Sequence, residues 1–301
     1  VGITTLQELH IMEEDADDID LTPLVNLPNF TTLAIRRNQL DNLLGSDNFD
    51  QIAQLSHLTS LFVHGDISSA DMTTLLKISS FENLDLGWGS GLGDAEFESL
   101  LAINIGIKSL NFQAVPITSL APINHLTDLQ SINIQYTNVT DLSELFIGGD
   151  INNGPLTNLS SVNVHMIPIV ENSQVFTQIN ALESNGVKVE GEPAQGLMLS
   201  DYIPTIEDPG LRECLSSNST EMLVTGQLTS LWCKKSPIAN VWGLSQFNNL
   251  EEIYLDNTLI TQVNNEFDSM NNLRIVSVAD SQLRDLGQLV NYGHLQELNV
   301  D

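Results

Sequence analysis

Basic residues are scarce in this chain: ten Lys and Arg stand against 39 Asp and Glu, a formal charge of −29. A surface of that sign repels phosphate groups, which argues against DNA, RNA or anionic lipid as partners. Long apolar runs are missing too. No stretch of about 18 apolar residues occurs, so no direct membrane insertion is expected. No secretory leader is visible at Val1. Cysteine is reduced to Cys214 and Cys233, and aromatic residues to 6%. Hydrophobic content, by contrast, is an ordinary 42%, which sets the chain apart from disordered acidic tails and allows a packed core.

What is there is a repeated ladder of the form L-x-x-L-x-L. It reads Leu6-Leu9-Ile11, Phe30-Leu33-Ile35, Leu58-Leu61-Val63, Phe81-Leu84-Leu86, Ile107-Leu110-Phe112, Leu129-Ile132-Ile134 and Leu159-Val162-Val164. It returns at Leu228-Leu231-Cys233, Leu250-Ile253-Leu255, Leu273-Val276-Val278 and Leu295-Leu298-Val300. Side chains alternate across a strand, so the fourth and sixth positions point one way and the x residues the other. One such strand cannot bury its apolar side alone, but a stack of repeats can. Self-similarity at 20 to 29 residues with this consensus marks a leucine-rich repeat solenoid. The expected fold is therefore an α/β solenoid, with a parallel sheet on the concave face and 3₁₀ turns or short helices on the convex face. The return path carries its own apolar set, as in Ile117-Leu120-Ile123-Leu126 and Val139-Leu142-Leu145. A convex helix is expected over 71–78, with Asp71 as its N-cap.

The run from Ile117 through Leu120, Pro122, Leu126, Leu129 and Ile132 to Ile134 resembles the 22-residue repeats of bacterial internalin-type proteins, as does Leu250-Glu-Glu-Ile253-Tyr-Leu255. The resemblance implies a non-catalytic binding module at a bacterial surface. One departure concerns the Asn that such repeats carry three residues after the ladder. Only Asn38 fits; Asp66, Thr137, Ser236, Thr258 and Ser281 can make some of its bonds, and Gly89, Val115 and Ile167 cannot.

The ladder lapses between about Val189 and Leu228. Residues 1–190 are expected to form a first array, 191–200 a Pro- and Gly-rich linker, and 201–301 a second array. Ile206-Glu-Asp208-Pro209-Gly-Leu211 resembles the amino-terminal cap of bacterial leucine-rich repeat arrays. It implies a helix with Asp208 as N-cap and Pro209 as its first residue. Cys214 in that helix and Cys233 in the next ladder are expected to form a disulfide, with two buried thiols as the alternative; a disulfide implies an oxidising compartment. The chain opens on a strand without a cap and stops in mid-repeat, so a segment of a longer protein is expected.

Catalytic signatures are not found. His57, His125 and His294 each precede a repeat Leu, at Leu58, Leu126 and Leu295, and His10, His64 and His165 fall in separate repeats. No Ser/His/Asp or Cys/His arrangement has supporting context, and no enzyme is expected. Gly87-Trp-Gly-Ser-Gly-Leu-Gly93 lacks the Lys and Ser/Thr of a phosphate loop. The acidic run from Glu13 to Asp20 lacks the Gly and terminal Glu of an EF-hand. It reads as a solvated loop, with weak calcium binding as the alternative, and no other cofactor is expected.

The concave x positions carry the functional expectation. They hold Arg36, Arg37, Phe62, His64, Trp88, Gln135, Tyr136, His165 and Met166 in the first array, and Trp232, Lys234, Lys235, Tyr254 and Asp256 in the second. Aromatics beside polar residues on an open face suit an interface with a protein or a glycan, for instance in adhesion outside the cell. The alternative is a structural spacer or self-assembling subunit of a surface stalk or filament, with self-association in place of ligand capture.

Overall fold

The computed structural model describes residues 5–11, 20–36, 51–64, 75, 77–88, 92–171, 173–285, 289 and 292–300, apart from the side chain of Arg36. The helix expected over 71–78, the acidic run up to residue 19, Arg37, Asn38 and Asp66 lie wholly or largely outside those residues. The chain divides into two compact units. Unit 1 is Val1–Ile167 with Asn172–Glu192, and unit 2 is Pro168–Glu171 with Pro193–Asp301.

Unit 1 holds one parallel sheet of eight strands in chain order: β1 (Glu8–Ile11), β2 (Thr32–Arg36), β3 (Ser60–His64), β4 (Asn83–Asp85), β5 (Ser109–Asn111), β6 (Ser131–Asn133), β7 (Ser161–Asn163) and β8 (Lys188–Glu190). The register sets Leu9, Leu33, Leu61, Leu84, Leu110, Ile132, Val162 and Val189 side by side in one column. From Leu33 to Val162 that column is buried. This is the expected leucine-rich repeat solenoid: each strand turns its apolar residue onto the residue of the next repeat. The return path runs through α1 (Asp94–Ile103), 3₁₀ turns at Ala121–Ile123 and Ser143–Leu145, and α2 (Val175–Ser184). Leu120, Ile123, Leu126, Leu142 and Leu145 on that path are buried, which closes the core from the convex side. Phe97 of α1 meets Phe112 edge-on, with ring centroids 4.7 Å apart.

Where Thr stands three residues after the ladder, its hydroxyl finds a backbone partner. Thr137 Oγ1 donates to the Ile134 carbonyl at 2.7 Å and Thr258 Oγ1 to the Leu255 carbonyl at 2.8 Å. A buried Asn does appear elsewhere. Asn104, fully buried, donates to the carbonyls of Ile78 and Leu100 and accepts the Phe81 N–H, tying consecutive repeats together.

Unit 2 repeats the plan with four parallel strands, β9 (Ser230–Trp232), β10 (Glu252–Tyr254), β11 (Ile275–Ser277) and β12 (Glu297–Asn299), again in chain order. Two helices precede them, α3 (Leu199–Tyr202) and α4 (Pro209–Asn218). Asp208 is the N-cap of α4: Oδ1 accepts the Leu211 N–H at 2.9 Å, while Oδ2 accepts the N–H groups of Ala239 and Asn240. One carboxylate thus caps the helix and pins it to a later loop. At Gly210 any Cβ would lie 2.9 Å from the Pro237 backbone, so the helix packs this closely only with glycine there.

The backbone of the stretch expected as a linker makes hydrogen bonds within each unit. The Glu192 carbonyl accepts the Met166 N–H within unit 1. In unit 2, Leu197 and Thr225 exchange bonds, the Ala194 carbonyl accepts the Ile169 N–H, and α3 has begun by Leu199. Proline and glycine here shape a bonded crossing, which also explains why Pro168–Glu171 sorts with unit 2.

A disulfide joins Cys214 of α4 to Cys233, directly after β9. Beside it, Asn218 treats the open edge of β9 as a neighbouring strand would. Its Oδ1 accepts the Trp232 N–H at 3.0 Å and its Nδ2 donates to the Trp232 carbonyl at 3.2 Å. The cap therefore both staples and pairs the first strand. Reduction of Cys214–Cys233 should lower the stability of unit 2 by about 3 kcal/mol in the chain-entropy picture. Denaturant unfolding followed by tryptophan emission, with and without reductant, checks this. An unchanged midpoint would show that α4 holds without the staple.

Candidate binding surface on the sheet face

The three-residue strands leave two polar columns on the face opposite the core. Ser109, Ser131 and Ser161 are in register, as are Asn111, Asn133 and Asn163. Asp85 continues the second column on β4 and Glu190 ends it on β8. A trough of about 290 Å³ runs over these residues. In it, Asp85, Asn111, Asn133 and Asn163 all make one bond: Oδ1 accepts the N–H two residues on, at 3.0–3.1 Å. Each such bond closes an Asx turn at a strand end.

The next residues turn sharply. Trp88, Ala114, Tyr136, Met166, Lys235, Asn257 and Asp280 have φ between 51° and 63° and occupy the same place in their repeats. The N–H groups of the first six extend the inter-repeat ladder past the strands, for example Tyr136 to the His165 carbonyl at 2.9 Å and Lys235 to the Asp256 carbonyl at 2.8 Å. Asn and Asp tolerate this left-handed conformation; a bulky ring there is an outlier costing about 1–2 kcal/mol. Backbone strain of this kind collects at functional sites. Two of the aromatics expected on this face, Trp88 and Tyr136, sit at strained positions.

The structure brings Trp88, Tyr136 and His165 into one row. Trp88 and Tyr136 centroids are 6.5 Å apart, and Tyr136 meets His165 edge-on at 5.4 Å. Trp88 is 54% exposed. Phe62 joins the wall of the trough instead. His64 is held by Asp85 at 2.9 Å, with little of either side chain exposed. Arg36 closes β2, and its side chain, like all of Arg37, is outside the described residues.

In unit 2 the grouping is tighter. Trp232 and Tyr254 stack with centroids 3.9 Å apart and an angle of 22°, and Trp232 remains 52% exposed. Lys234 Nζ lies 5.3 Å and 5.0 Å from the two rings and 3.0 Å from Asp256 Oδ2. Burial pushes the Asp256 carboxyl up. The Ser277 hydroxyl, Lys234 and the Ala279 N–H outweigh it and hold Asp256 below the ordinary carboxylate range. The cation over the stack is thereby kept in place, by a cation–π contact on one side and an ion pair on the other.

Sequence reasoning passed over the Ser and Asn columns, because short polar residues on a sheet face look like ordinary solvated surface. The signal was the recurrence itself: Ser109-Leu-Asn111, Ser131-Ile-Asn133 and Ser161-Val-Asn163. Among the described residues no three His, Cys, Asp or Glu side chains gather to hold a metal ion, and no helix is long and apolar enough to cross a membrane.

No protein-family profile matches the chain, and no curated protein matches it. Several solved structures are similar in fold. An internalin from Listeria monocytogenes is 17% identical, over 99% of this chain and 74% of that one, with a TM-score of 0.44. An internalin C2 from the same organism is 16% identical over 88% of each chain, with a TM-score of 0.32. A leucine-rich repeat protein from Leptospira interrogans is 15% identical over 98% of this chain and 72% of that one, with a TM-score of 0.41. The solenoid assignment stands on this chain's own repeats, strands and register.

Two outcomes are expected. Trp88→Asn removes the exposed ring and relieves the strained backbone, so the melting temperature of unit 1 should hold or rise; a loss above about 1 kcal/mol would make Trp88 a packing residue. Asp256 stabilises the folded state in its charged form. Its contribution should be complete above the unfolded carboxylate pKa of about 3.9 and vanish as pH falls through the lower folded value. Denaturant midpoints of the wild type and Asp256→Asn should therefore differ at pH 7 and converge in acid.

Proposed function

We propose that this protein is a non-catalytic binding module that works outside the cell or on its surface and holds a protein partner against its sheet face, as in adhesion. The Trp232–Tyr254 stack carries the reading. It is a rigid, half-exposed aromatic platform with a cation fixed beside it. Aromatic anchors of this kind dominate protein interfaces, since they bring large area at low entropic cost. The Trp88–Tyr136–His165 row offers a comparable anchor in unit 1. The disulfide supports an oxidising compartment. The charge of −29 supports a partner with a basic or neutral face.

The double variant Trp232→Ala/Tyr254→Ala tests it. Binding to a cell-surface protein fraction, read by cross-linking and by surface plasmon resonance on the captured species, should fall at least tenfold, while the circular dichroism spectrum is retained. Undiminished capture would overturn the platform. Concentration-dependent oligomers in light scattering, without capture, would favour the stalk or filament role.

A further inference from the structure

We infer that the polar trough of unit 1 binds an uncharged, extended polysaccharide laid across the strands. The inference shares with the functional reading the premise that the sheet face is the binding surface and the use of the Trp88 and Tyr136 rings.

Each Oδ1 of Asn111, Asn133 and Asn163 is held by a backbone N–H, so each amide plane is fixed. Among the described residues, their Nδ2 groups donate to nothing within the chain. Three oriented donors therefore stand in a row, one per strand, with a pitch of about 4.8 Å. The serine column runs beside them. Ser131 donates to Ser109 at 2.9 Å, which leaves the Ser109 hydroxyl hydrogen for another acceptor.

The pitch and the charge select the ligand. An extended peptide offers acceptors on one side only at every second residue, roughly 6.7 Å apart, out of step with the donor row. One ring of an extended β-linked pyranose chain is comparable in length to the strand spacing. Its ring and glycosidic oxygens accept, and its hydroxyls both donate and accept, as the mixed serine and amide lining requires. Among the described residues that line the trough none is a cation, and Asp85 and Glu190 stand at its two ends, Glu190 paired with Lys188, so an anionic polymer finds no free partner charge along it. At the carboxyl ends of the same strands, the Trp88 and Tyr136 rings supply apolar faces for the C–H faces of sugar rings.

The trough can be altered without touching the core. Asp85 already makes the backbone bond of this column, so Asn133→Asp keeps the turn and removes the donor. Ser131→Tyr fills the trough from a side chain that points away from the core. The probes are cellohexaose and chitohexaose, with polygalacturonate as an anionic control and an extended uncharged heptapeptide as competitor, read by calorimetry and affinity electrophoresis. The wild type should bind at least one hexaose, Asn133→Asp about tenfold more weakly, and Ser131→Tyr not at all, with melting curves unchanged. Absence of hexaose binding by the wild type, equal binding by both variants, preference for polygalacturonate or displacement by the peptide would each overturn the inference. Trp232→Ala/Tyr254→Ala should bind hexaose normally, so failure at this trough and failure of the unit 2 platform are separately visible.

Discussion

The described strands are three to five residues long, too short to hold their own shape, so each takes it from the strands on either side. The inter-repeat bonds do more than pair strands. They continue one turn beyond, where residues such as Tyr136 and Lys235 donate to the following repeat from a left-handed backbone. In the repeats of β4 to β7 and β9 to β11 that continuation goes with the same exit turn, whatever residue occupies it. The exit turn in turn places the aromatic row and aligns the asparagine amides. Geometry on the sheet face is thus inherited from the stacking that builds the core.

An array of this kind leaves an edge at its first strand, and unit 2 shows how the edge is managed. Asn218 supplies the donor and acceptor that a preceding strand would have supplied, and the disulfide holds its helix in place. Trp232 is the residue being paired. The cap therefore closes the core and also fixes the backbone beneath the most exposed ring of the Trp232–Tyr254 stack. Stability and presentation of the platform share one set of contacts.

The repeats, the parallel sheet, the capped helix with Asp208 and Pro209, and the 3₁₀ turns behind Ile117 and Val139 were legible because apolar spacing and cap chemistry are local signals. The pairing of Trp232 with Tyr254 and of Tyr136 with His165 was legible only as common membership of one face, since contact between them follows from register across 22 and 29 residues. The ties at 191–200 were not legible. Gly and Pro there read as a break, whereas Gly196 is required because a Cβ would meet Thr225 at 2.3 Å. The polar trough escaped notice for a different reason. Ser and Asn carry no distinctive signal singly, and their alignment emerges only once neighbouring repeats are superposed in register.

Hydroxyl-radical footprinting of the protein, free and in complex with a captured partner, tests most directly whether the sheet face is the working surface. The account predicts protection at Trp88, Tyr136, Trp232 and Tyr254. Phe176 and Trp242, about as exposed as Trp88 and Trp232 but away from the sheet face, should keep their reactivity. Protection confined to Phe176 and Trp242 would contradict it and move the binding surface to the return path of the repeats.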